Sequence, residues 1–154
     1  MAKLAKGDKA PAFSLADHDD KTVSLSDFKG QRVILYFYPK DDTPGCTKEA
    51  CQFNDLRLSF ADQGAEVLGI SPDGAASHQR FRGRYELAIR LLSDPNHEVM
   101  ERYGAWGEKT LYGRKSLGVI RSTFLISGDG LIERAWYNVR ADGHAAQVLD
   151  VLSS

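Results

Sequence analysis

Cysteine is scarce in this sequence, and long apolar runs and blocks of like charge are missing altogether. The 154 residues include two cysteines and four scattered histidines, which does not match the roughly four clustered ligands of a zinc site. A net charge of −1 without a Lys/Arg block argues against a nucleic-acid surface. No apolar run approaches the ~18 residues of a membrane span, and the N-terminus lacks the apolar core of a signal peptide. These absences favour a cytoplasmic protein that binds neither metal, membrane nor nucleic acid.

Nucleotide-binding motifs are also missing, since the chain has neither a G-x-G-x-x-G fingerprint nor a P-loop. A length of 154 residues predicts one domain over 1–154, long enough to bury a core without disulfide bonds. Structural disulfides are rare in the cytosol, because the thiol pool there keeps cysteines reduced. Two cysteines in such a protein indicate chemistry, metal binding or no special role.

The hydrophobic pattern predicts a three-layer α/β/α fold. The run "VILYFY" (33–38) is typical of a central strand covered on both faces, and "EVLGI" (66–70) predicts a second strand. A helical stripe between them predicts one helix from about 44 to 62, which completes a βαβ unit. The other predicted elements are a strand pair within 13–28, a helix at 75–86, a strand near 89–92, a helical turn at 96–103, strands at 119–126 and 131–137 around the turn "SGDG", and a helix at 144–152.

The stretch "PKDDTPGCTKEAC" (39–51) contains both cysteines, Cys46 and Cys51. Thr43 is a natural N-cap and Pro44 suits the first helical position, so Cys46 falls at the third. Its sulfur then lies near the positive end of the helix dipole, which favours thiolate over thiol. The carboxyl end of a parallel strand, just before this helix, is also where α/β proteins gather their reactive groups.

The helix terminus alone is too weak to keep this thiolate ionised. A thiol with the usual pKa of about 8.5 is about 3% ionised at pH 7, and reaching about 90% requires roughly 3.4 kcal/mol of preference for the anion. A helix terminus contributes only about 0.3–1 kcal/mol. The shortfall predicts a cation beside Cys46, and Arg121, in the predicted strand at 119–126, is the candidate. Glu49, one turn after Cys46, is placed to orient that guanidinium.

Each of these residues also has an interpretation without chemistry. Cys46 and Cys51 are compatible with small buried hydrophobes, Arg121 with an ordinary edge-strand arginine, and Glu49 with a carboxylate that favours a helix start. The spacing of the cysteines adds information, because five helical residues place the Cα atoms about 8.6 Å apart on different faces. A disulfide tolerates at most about 7 Å, so the pair can bond only if the first helical turns unwind.

The quoted stretch carries a resemblance to a known family. "PKDDTPGC" resembles the P-x-x-x-T-x-x-C signature of peroxiredoxins, and "TPGCTKEAC" is similar to the subfamily called bacterioferritin comigratory protein or peroxiredoxin Q. The similarity runs along nearly the whole chain, through "GDKAPAFSL", "GISPD", "FRGRY", "LLSDPNHEVMERYGAWGEK" and "GVIRSTFLI". It implies a thioredoxin-like fold with a central mixed sheet and an N-terminal hairpin extension.

The resemblance also implies roles for the cysteines. Cys46 corresponds to the peroxidatic cysteine, and Cys51 to the resolving cysteine that some members carry on the same helix. The implied cycle reduces hydrogen peroxide or an organic hydroperoxide, forms a Cys46–Cys51 disulfide and ends with reduction by thioredoxin or glutaredoxin. The implied protein is a monomer that needs no metal, haem or flavin.

The remaining residues of the site take their roles from the same resemblance. Thr43 is expected to hydrogen-bond the peroxide, Pro39 to shield the pocket, and Arg121 to position thiolate and substrate. Gly45 and Glu49 are expected to support them.

Two other functions compete with this interpretation. A general disulfide oxidoreductase of thioredoxin type would normally carry a C-x-x-C pair, which this chain lacks. A redox sensor that passes oxidation to a partner protein is poorly excluded by sequence. A peroxide-consumption assay with a thioredoxin system separates the cases, because only an enzyme turns over rapidly.

Overall fold

A seven-stranded mixed sheet lies at the centre of the computed structural model, which describes residues 3–153. In chain order the strands are β1 (Ser14–Asp17), β2 (Thr22–Ser24), β3 (Arg32–Phe37), β4 (Ala65–Ser71), β5 (Arg90–Ser93), β6 (Trp106–Leu111), β7 (Arg114–Val119), β8 (Ser122–Ile126) and β9 (Ile132–Tyr137). The helices are α1 (Pro44–Asp55), α2 (Arg57–Asp62), α3 (Ala75–Tyr85), α4 (Glu98–Arg102) and α5 (His144–Ser153), with a 3₁₀ helix at Leu25–Phe28.

The spatial order of the central sheet is β2-β1-β5-β4-β3-β8-β9. Strand β3 pairs in parallel with β4 and antiparallel with β8, and every side chain from Val33 to Tyr38 is at most 1% exposed. Such a strand needs apolar side chains on both faces, which is the property that the run "VILYFY" has. The predicted central strand is therefore confirmed.

The two predicted strand pairs at the edges of the sheet are also present. Strands β1 and β2 form an antiparallel hairpin, and β1 joins the central sheet through β5, as expected for an N-terminal hairpin extension. Strands β8 and β9 pair antiparallel around the turn at 127–130, where the Ser127 N–H donates to the Leu131 carbonyl.

Helices cover both faces of the sheet, but unequally. On one face α1, α2, α3 and α5 pack over a buried cluster that includes Tyr36, Phe53, Phe60 and Val148. On the other face α4, the 3₁₀ helix and the N-terminal segment pack over a cluster that includes Phe124. The arrangement is the predicted α/β/α fold, and no helix within 3–153 is long and apolar enough to cross a membrane.

The predicted single helix over 44–62 is wrong in one respect, because the structure divides it at Leu56 into α1 and α2. Arg57 Nη1 donates a 2.8 Å hydrogen bond to the carbonyl of Asn54, the acceptor that Leu58 would use in a continuous helix. The Asn54 side chain in turn accepts a 2.7 Å hydrogen bond from the Ala88 N–H. A tertiary contact therefore ends α1 where local propensity alone would continue it.

A second difference concerns residues 106–121. Strands β6 and β7, which the sequence pattern does not predict, form a separate antiparallel hairpin whose turn residues Tyr112 and Gly113 both have positive φ, as two-residue type I′ turns require. The predicted continuous strand over 119–126 is wrong, since it is interrupted after Val119 by a link that contains Arg121. Val119 packs on the opposite face of the sheet from Leu125, although alternation along one continuous strand would place both side chains on the same face.

Candidate active site

Helix α1 starts directly after β3 and presents its N-terminus at the carboxyl end of the parallel strands. Thr43 is the N-cap residue with extended backbone angles, and Pro44 takes the first helical position. The first helical hydrogen bond joins the Thr47 N–H to the Thr43 carbonyl at 2.8 Å, so the N–H groups of Gly45 and Cys46 have no acceptor within the helix. Cys46 therefore occupies the predicted third position, with free backbone donors beside its sulfur.

The Thr43 side chain does not cap the helix, although the residue sits at the N-cap. Its hydroxyl donates a 2.9 Å hydrogen bond to the Lys40 carbonyl instead. A hydroxyl has one proton and two lone pairs, so Thr43 Oγ1 keeps the capacity to accept a hydrogen bond from a bound molecule.

The structure brings Cys46, Glu49 and Arg121 together. Arg121 Nη2 lies 3.3 Å from Cys46 Sγ, and Arg121 Nη1 lies 2.5 Å from Glu49 Oε1. Cys46 is 1% exposed and Glu49 is fully buried, whereas the side chain of Arg121 is 19% exposed. One planar guanidinium thus bridges the sulfur and the carboxyl group through separate nitrogens, which is the arrangement expected from the sequence.

The charge on Arg121 is large enough to supply what the helix dipole lacks. A unit charge about 4 Å away contributes about 4 kcal/mol at an effective dielectric constant of about 20. This exceeds the roughly 2.4–3.1 kcal/mol that the sequence argument leaves to be supplied beyond the helix dipole, before the cost of burying the sulfur is deducted. Burial lowers the pKa of Arg121, but the nearby Glu49 and Cys46 outweigh it and raise the pKa, so the guanidinium stays charged.

Cys51 lies on the same uninterrupted helix and is half-buried. Burial raises the pKa of its thiol, and the negative charge of Asp55 acts in the same direction. Both cysteines are free, and five residues of intact helix separate them by more than a disulfide can span. In this conformation Cys51 is a neutral thiol that cannot reach Cys46.

Pro39 and Gly45 are the two remaining predicted site residues. Pro39 is partly buried and borders a groove of about 350 Å³ that Pro72, Trp106 and the β6–β7 hairpin also line. A Cβ atom on Gly45 would lie 3.4 Å from Arg121 Nη2, an ordinary van der Waals contact, so Gly45 lies directly beside the guanidinium.

The loop between β3 and α1 is fixed by residues that sequence reasoning did not identify. Asp41 is buried and accepts hydrogen bonds from Tyr38 Oη at 2.6 Å, Ser77 Oγ at 2.8 Å and His78 Nδ1 at 2.7 Å. His78 is fully buried, and its Nε2 lies 3.0 Å from the Leu92 carbonyl. Both ring nitrogens lie within hydrogen-bond distance of an oxygen, so the ring connects the Asp41 carboxyl group to the Leu92 carbonyl.

The next residue, Asp42, adds a second connection between this loop and α3. Asp42 has a φ of 59°, and its carboxylate accepts from Arg84 Nη1 at 2.8 Å and from Tyr85 Oη at 2.7 Å. Local sequence does not predict the contacts of Asp41 and Asp42 with α3, because the partners are distant along the chain. Asp41 and His78, for example, are 37 residues apart and meet only in the folded βαβ unit. The loop that leads to Thr43 and Cys46 is therefore bound to α3 through two consecutive residues, Asp41 and Asp42.

Helix α1 is also held along its length. Gln52 donates to Asp142 Oδ1 at 2.8 Å and accepts from the Gly143 N–H at 2.8 Å. Phe53 is fully buried and stacks on Tyr36 with ring centroids 4.6 Å apart. Within residues 3–153, no group of three or more His, Cys, Asp or Glu side chains is placed to hold a metal ion.

A buried thiol between a helix N-terminus and a guanidinium, on an α/β/α fold, defines a class of proteins that perform redox chemistry with cysteine. Comparisons with known proteins give the family. Residues 6–135 match the model of the AhpC/TSA family. The chain is 45% identical to peroxiredoxin Bcp of Escherichia coli, over 99% of this chain and 97% of that protein.

Solved structures agree with this match. Peroxiredoxin Q of Xanthomonas campestris superposes with a TM-score of 0.87 at 38% identity, covering 92% of this chain and 89% of that one. A mutant of the peroxiredoxin PrxQ from Xylella fastidiosa superposes with a TM-score of 0.93 at 35% identity, covering 99% and 98% of the two chains. The chain belongs to the AhpC/TSA family, among the peroxiredoxins of the bacterioferritin comigratory protein or peroxiredoxin Q type. As a peroxiredoxin it is a thiol peroxidase, an oxidoreductase that uses a thiol reductant to reduce peroxides.

Proposed function

We propose that Cys46 is the peroxidatic cysteine and that its thiolate attacks the terminal oxygen of hydrogen peroxide or an organic hydroperoxide. A sulfur–oxygen bond forms, the oxygen–oxygen bond breaks, and water or an alcohol leaves after protonation. Sulfur is oxidised to the sulfenic acid as the peroxide is reduced. The observation that carries this proposal is the 3.3 Å contact between Cys46 Sγ and Arg121 Nη2 at the start of α1.

The residues around Cys46 are proposed to position the peroxide. Thr43 accepts a hydrogen bond from the peroxide hydroxyl, because its own proton is already given to the Lys40 carbonyl. Arg121 holds the thiolate and donates to the leaving oxygen, where negative charge develops. Pro39 shields the sulfur from water at the mouth of the site, and Gly45 supports the guanidinium that lies beside it.

Cys51 is proposed to resolve the sulfenic acid. The first turns of α1 unwind, the Cys51 thiol attacks Cys46, water leaves and an intramolecular disulfide forms. The intact helix supports this order of events, because it separates the two sulfurs until the peroxide has reacted. The neutral state of Cys51 in the folded helix further supports the assignment of the first attack to Cys46.

The cycle is proposed to end with reduction of the disulfide by thioredoxin or glutaredoxin. We propose a monomer in the cytoplasm as the working form, since both cysteines of the cycle lie on one helix and a dithiol reductant must reach them. Hydrogen peroxide and organic hydroperoxides are the proposed substrates.

The two cysteine variants test these roles separately. With thioredoxin, its reductase and NADPH, Cys46→Ser should abolish peroxide consumption. Cys51→Ser should react once, accumulate sulfenic acid at Cys46 and become overoxidised more readily. Normal turnover by Cys46→Ser contradicts the assignment, and oxidation of the wild type without turnover indicates a redox sensor.

A further inference from the structure

Two acidic groups share one cation in the buried centre of the site. Arg121 donates to Cys46 Sγ and to Glu49 Oε1, and among residues 3–153 neither acid has a hydrogen bond or ion pair with a second cation. A thiolate and a carboxylate together would leave this buried site with a net charge of −1. Burying an uncompensated charge is costly, and proteins usually avoid it by changing a protonation state.

The elements packed against α1 bring no charge that would compensate. Tyr36 on β3 is neutral, because burial raises the pKa of its phenol well above the ordinary value and nearby negative charge raises it further. His144 on α5 lies against Phe53, and burial lowers the pKa of its ring, with the charge of Arg121 acting in the same direction. Compensation must therefore come from Glu49 or Cys46 itself.

The surroundings of Glu49 favour its protonated form. Its side chain is fully buried, and within the described part of the chain Oε2 has no hydrogen-bond partner. An anionic oxygen without a donor is more costly to bury than a hydroxyl in the same position. Burial raises the pKa of Glu49 to about 7, even though the charge and hydrogen bond of Arg121 oppose the shift.

We propose that Glu49 and Cys46 hold one proton between them, which resides on Glu49 while Cys46 is a thiolate and leaves Glu49 when Cys46 is oxidised. This inference rests on the proposed role of Cys46. Glu49 is a positioning residue in this scheme, since it acts on the sulfur through Arg121 and does not touch the peroxide.

The proton balance of the oxidation step follows from this arrangement. The thiolate bonds to the terminal peroxide oxygen, which keeps its hydrogen, and the departing oxygen leaves as an alkoxide or hydroxide that must gain one proton. Cys46 becomes a neutral sulfenic acid, so the guanidinium is free to pair with a carboxylate. Glu49 then ionises and releases one proton to the solvent at the mouth of the site. This proton offsets the one that the leaving oxygen takes up.

The site therefore has the same net charge before and after oxidation. Arg121 neutralises the thiolate in the reduced protein and the Glu49 carboxylate in the oxidised protein. Oxidation should draw no net proton from the solution, whereas a site with a permanently neutral residue at position 49 should draw one per Cys46 oxidised.

The test is a proton count during a single oxidation. Cys51→Ser, which stops at the sulfenic acid, is mixed with hydrogen peroxide in weakly buffered solution containing a pH indicator, about one unit below the pKa of about 7 to which burial raises Glu49, so that about 90% of Glu49 is protonated beforehand. We expect close to zero protons taken up per Cys46 oxidised, and close to one when Glu49→Gln is added. Glu101→Gln, which removes an exposed carboxylate on α4, is the matched control and should stay close to zero.

Infrared difference spectra give a second readout that keeps Glu49 in place. Oxidation should remove the C=O stretch of one protonated carboxyl group, and glutamate labelled with ¹³C should shift that band. Uptake of one proton by the parent protein, equal uptake with and without Glu49→Gln, or no loss of a carboxyl band would each overturn the inference. Mass spectrometry distinguishes failure of the proposed role of Cys46 from failure of the shared-proton inference alone. If Cys46 gains no oxygen, the proposed role of Cys46 fails, and this inference fails with it.

Discussion

Gln52 should control how readily α1 opens for disulfide closure. It is the residue after Cys51, and it joins α1 to the segment before α5 through Asp142 and the Gly143 N–H, each at 2.8 Å. Unwinding of the first turns breaks both contacts before Cys51 can approach Cys46. The two hydrogen bonds therefore stabilise the reduced, closed form relative to the opened form.

The expected size of the effect follows from the bond to Gly143. An exposed hydrogen bond to a neutral group contributes about 0.5–1 kcal/mol, at the lower end of the usual range. The exposed Asp142 is screened by solvent and is left out of this figure. If opening is a rapid equilibrium before closure, Gln52→Ala should raise the population of the open form, and the rate of disulfide formation, roughly two- to five-fold.

Stopped-flow measurement of disulfide formation after one equivalent of hydrogen peroxide tests this prediction. A shorter lifetime of the sulfenic acid should also make the variant less sensitive to overoxidation. Gln79→Ala is the matched control, because Gln79 is an exposed glutamine on α3 with a single long contact, 3.4 Å from Asp19. An unchanged closure rate in Gln52→Ala, or an equal change in Gln79→Ala, would refute the role of this connection.

Four further outcomes are expected. Arg121→Ala should slow the reaction of Cys46 with hydrogen peroxide by about a hundredfold or more, measured by stopped flow, because a donor to the leaving oxygen is lost, and Arg121→Lys should recover only part of the rate, because it lacks the second donor. Burial raises the pKa of Glu49 from 4.5 to about 7, so the protonated form stabilises the fold, and this stability is fully present below about pH 4.5 and is lost as pH rises to 7. Across that window the free energy of unfolding of the wild type should fall by up to about 3 kcal/mol relative to that of Glu49→Gln. Denaturation at a series of pH values should show this fall, with a constant difference above pH 7. Oxidation should accelerate amide exchange from Thr47, the first hydrogen-bonded N–H of α1, to about Phe53 and leave β3 unchanged; a segment that stays protected with the disulfide formed would refute the helical geometry. His78→Asn should reduce the free energy of unfolding by about 1–3 kcal/mol, since it removes the ring that connects the buried Asp41 side chain to the Leu92 carbonyl, and a double variant that also replaces Asp41 by Asn should recover part of the loss.

Much of the fold could be predicted because it depends on short-range patterns. The run 33–38 is aliphatic and aromatic throughout, which is typical of a strand covered on both faces, and the stripe Cys46, Ala50, Phe53 is typical of a helix that faces the core. The hairpin β6–β7 could not be predicted in the same way, because it pairs only with itself and most of its side chains are exposed. An element without a buried face has little hydrophobic periodicity to read.

The same distinction between local sequence and tertiary contacts applies to the candidate site. The order of Thr43, Pro44 and Cys46 was sufficient to place the thiol at a helix N-terminus, and elementary electrostatics was sufficient to require a cation. These conclusions need only the chemistry of neighbouring residues and the known strength of a helix dipole.

The tertiary structure decided how that requirement is met. Arg121 reaches Cys46 from a link between β7 and β8, because β8 pairs beside β3 and delivers the link to the start of α1. The same packing buries Glu49 completely, joins Asp41 to His78 across 37 residues and ends α1 at Asp55 through the contact between Asn54 and Ala88. Burial and hydrogen bonding between distant residues depend on which strands lie side by side, and that order is a property of the whole sheet rather than of any local stretch of sequence.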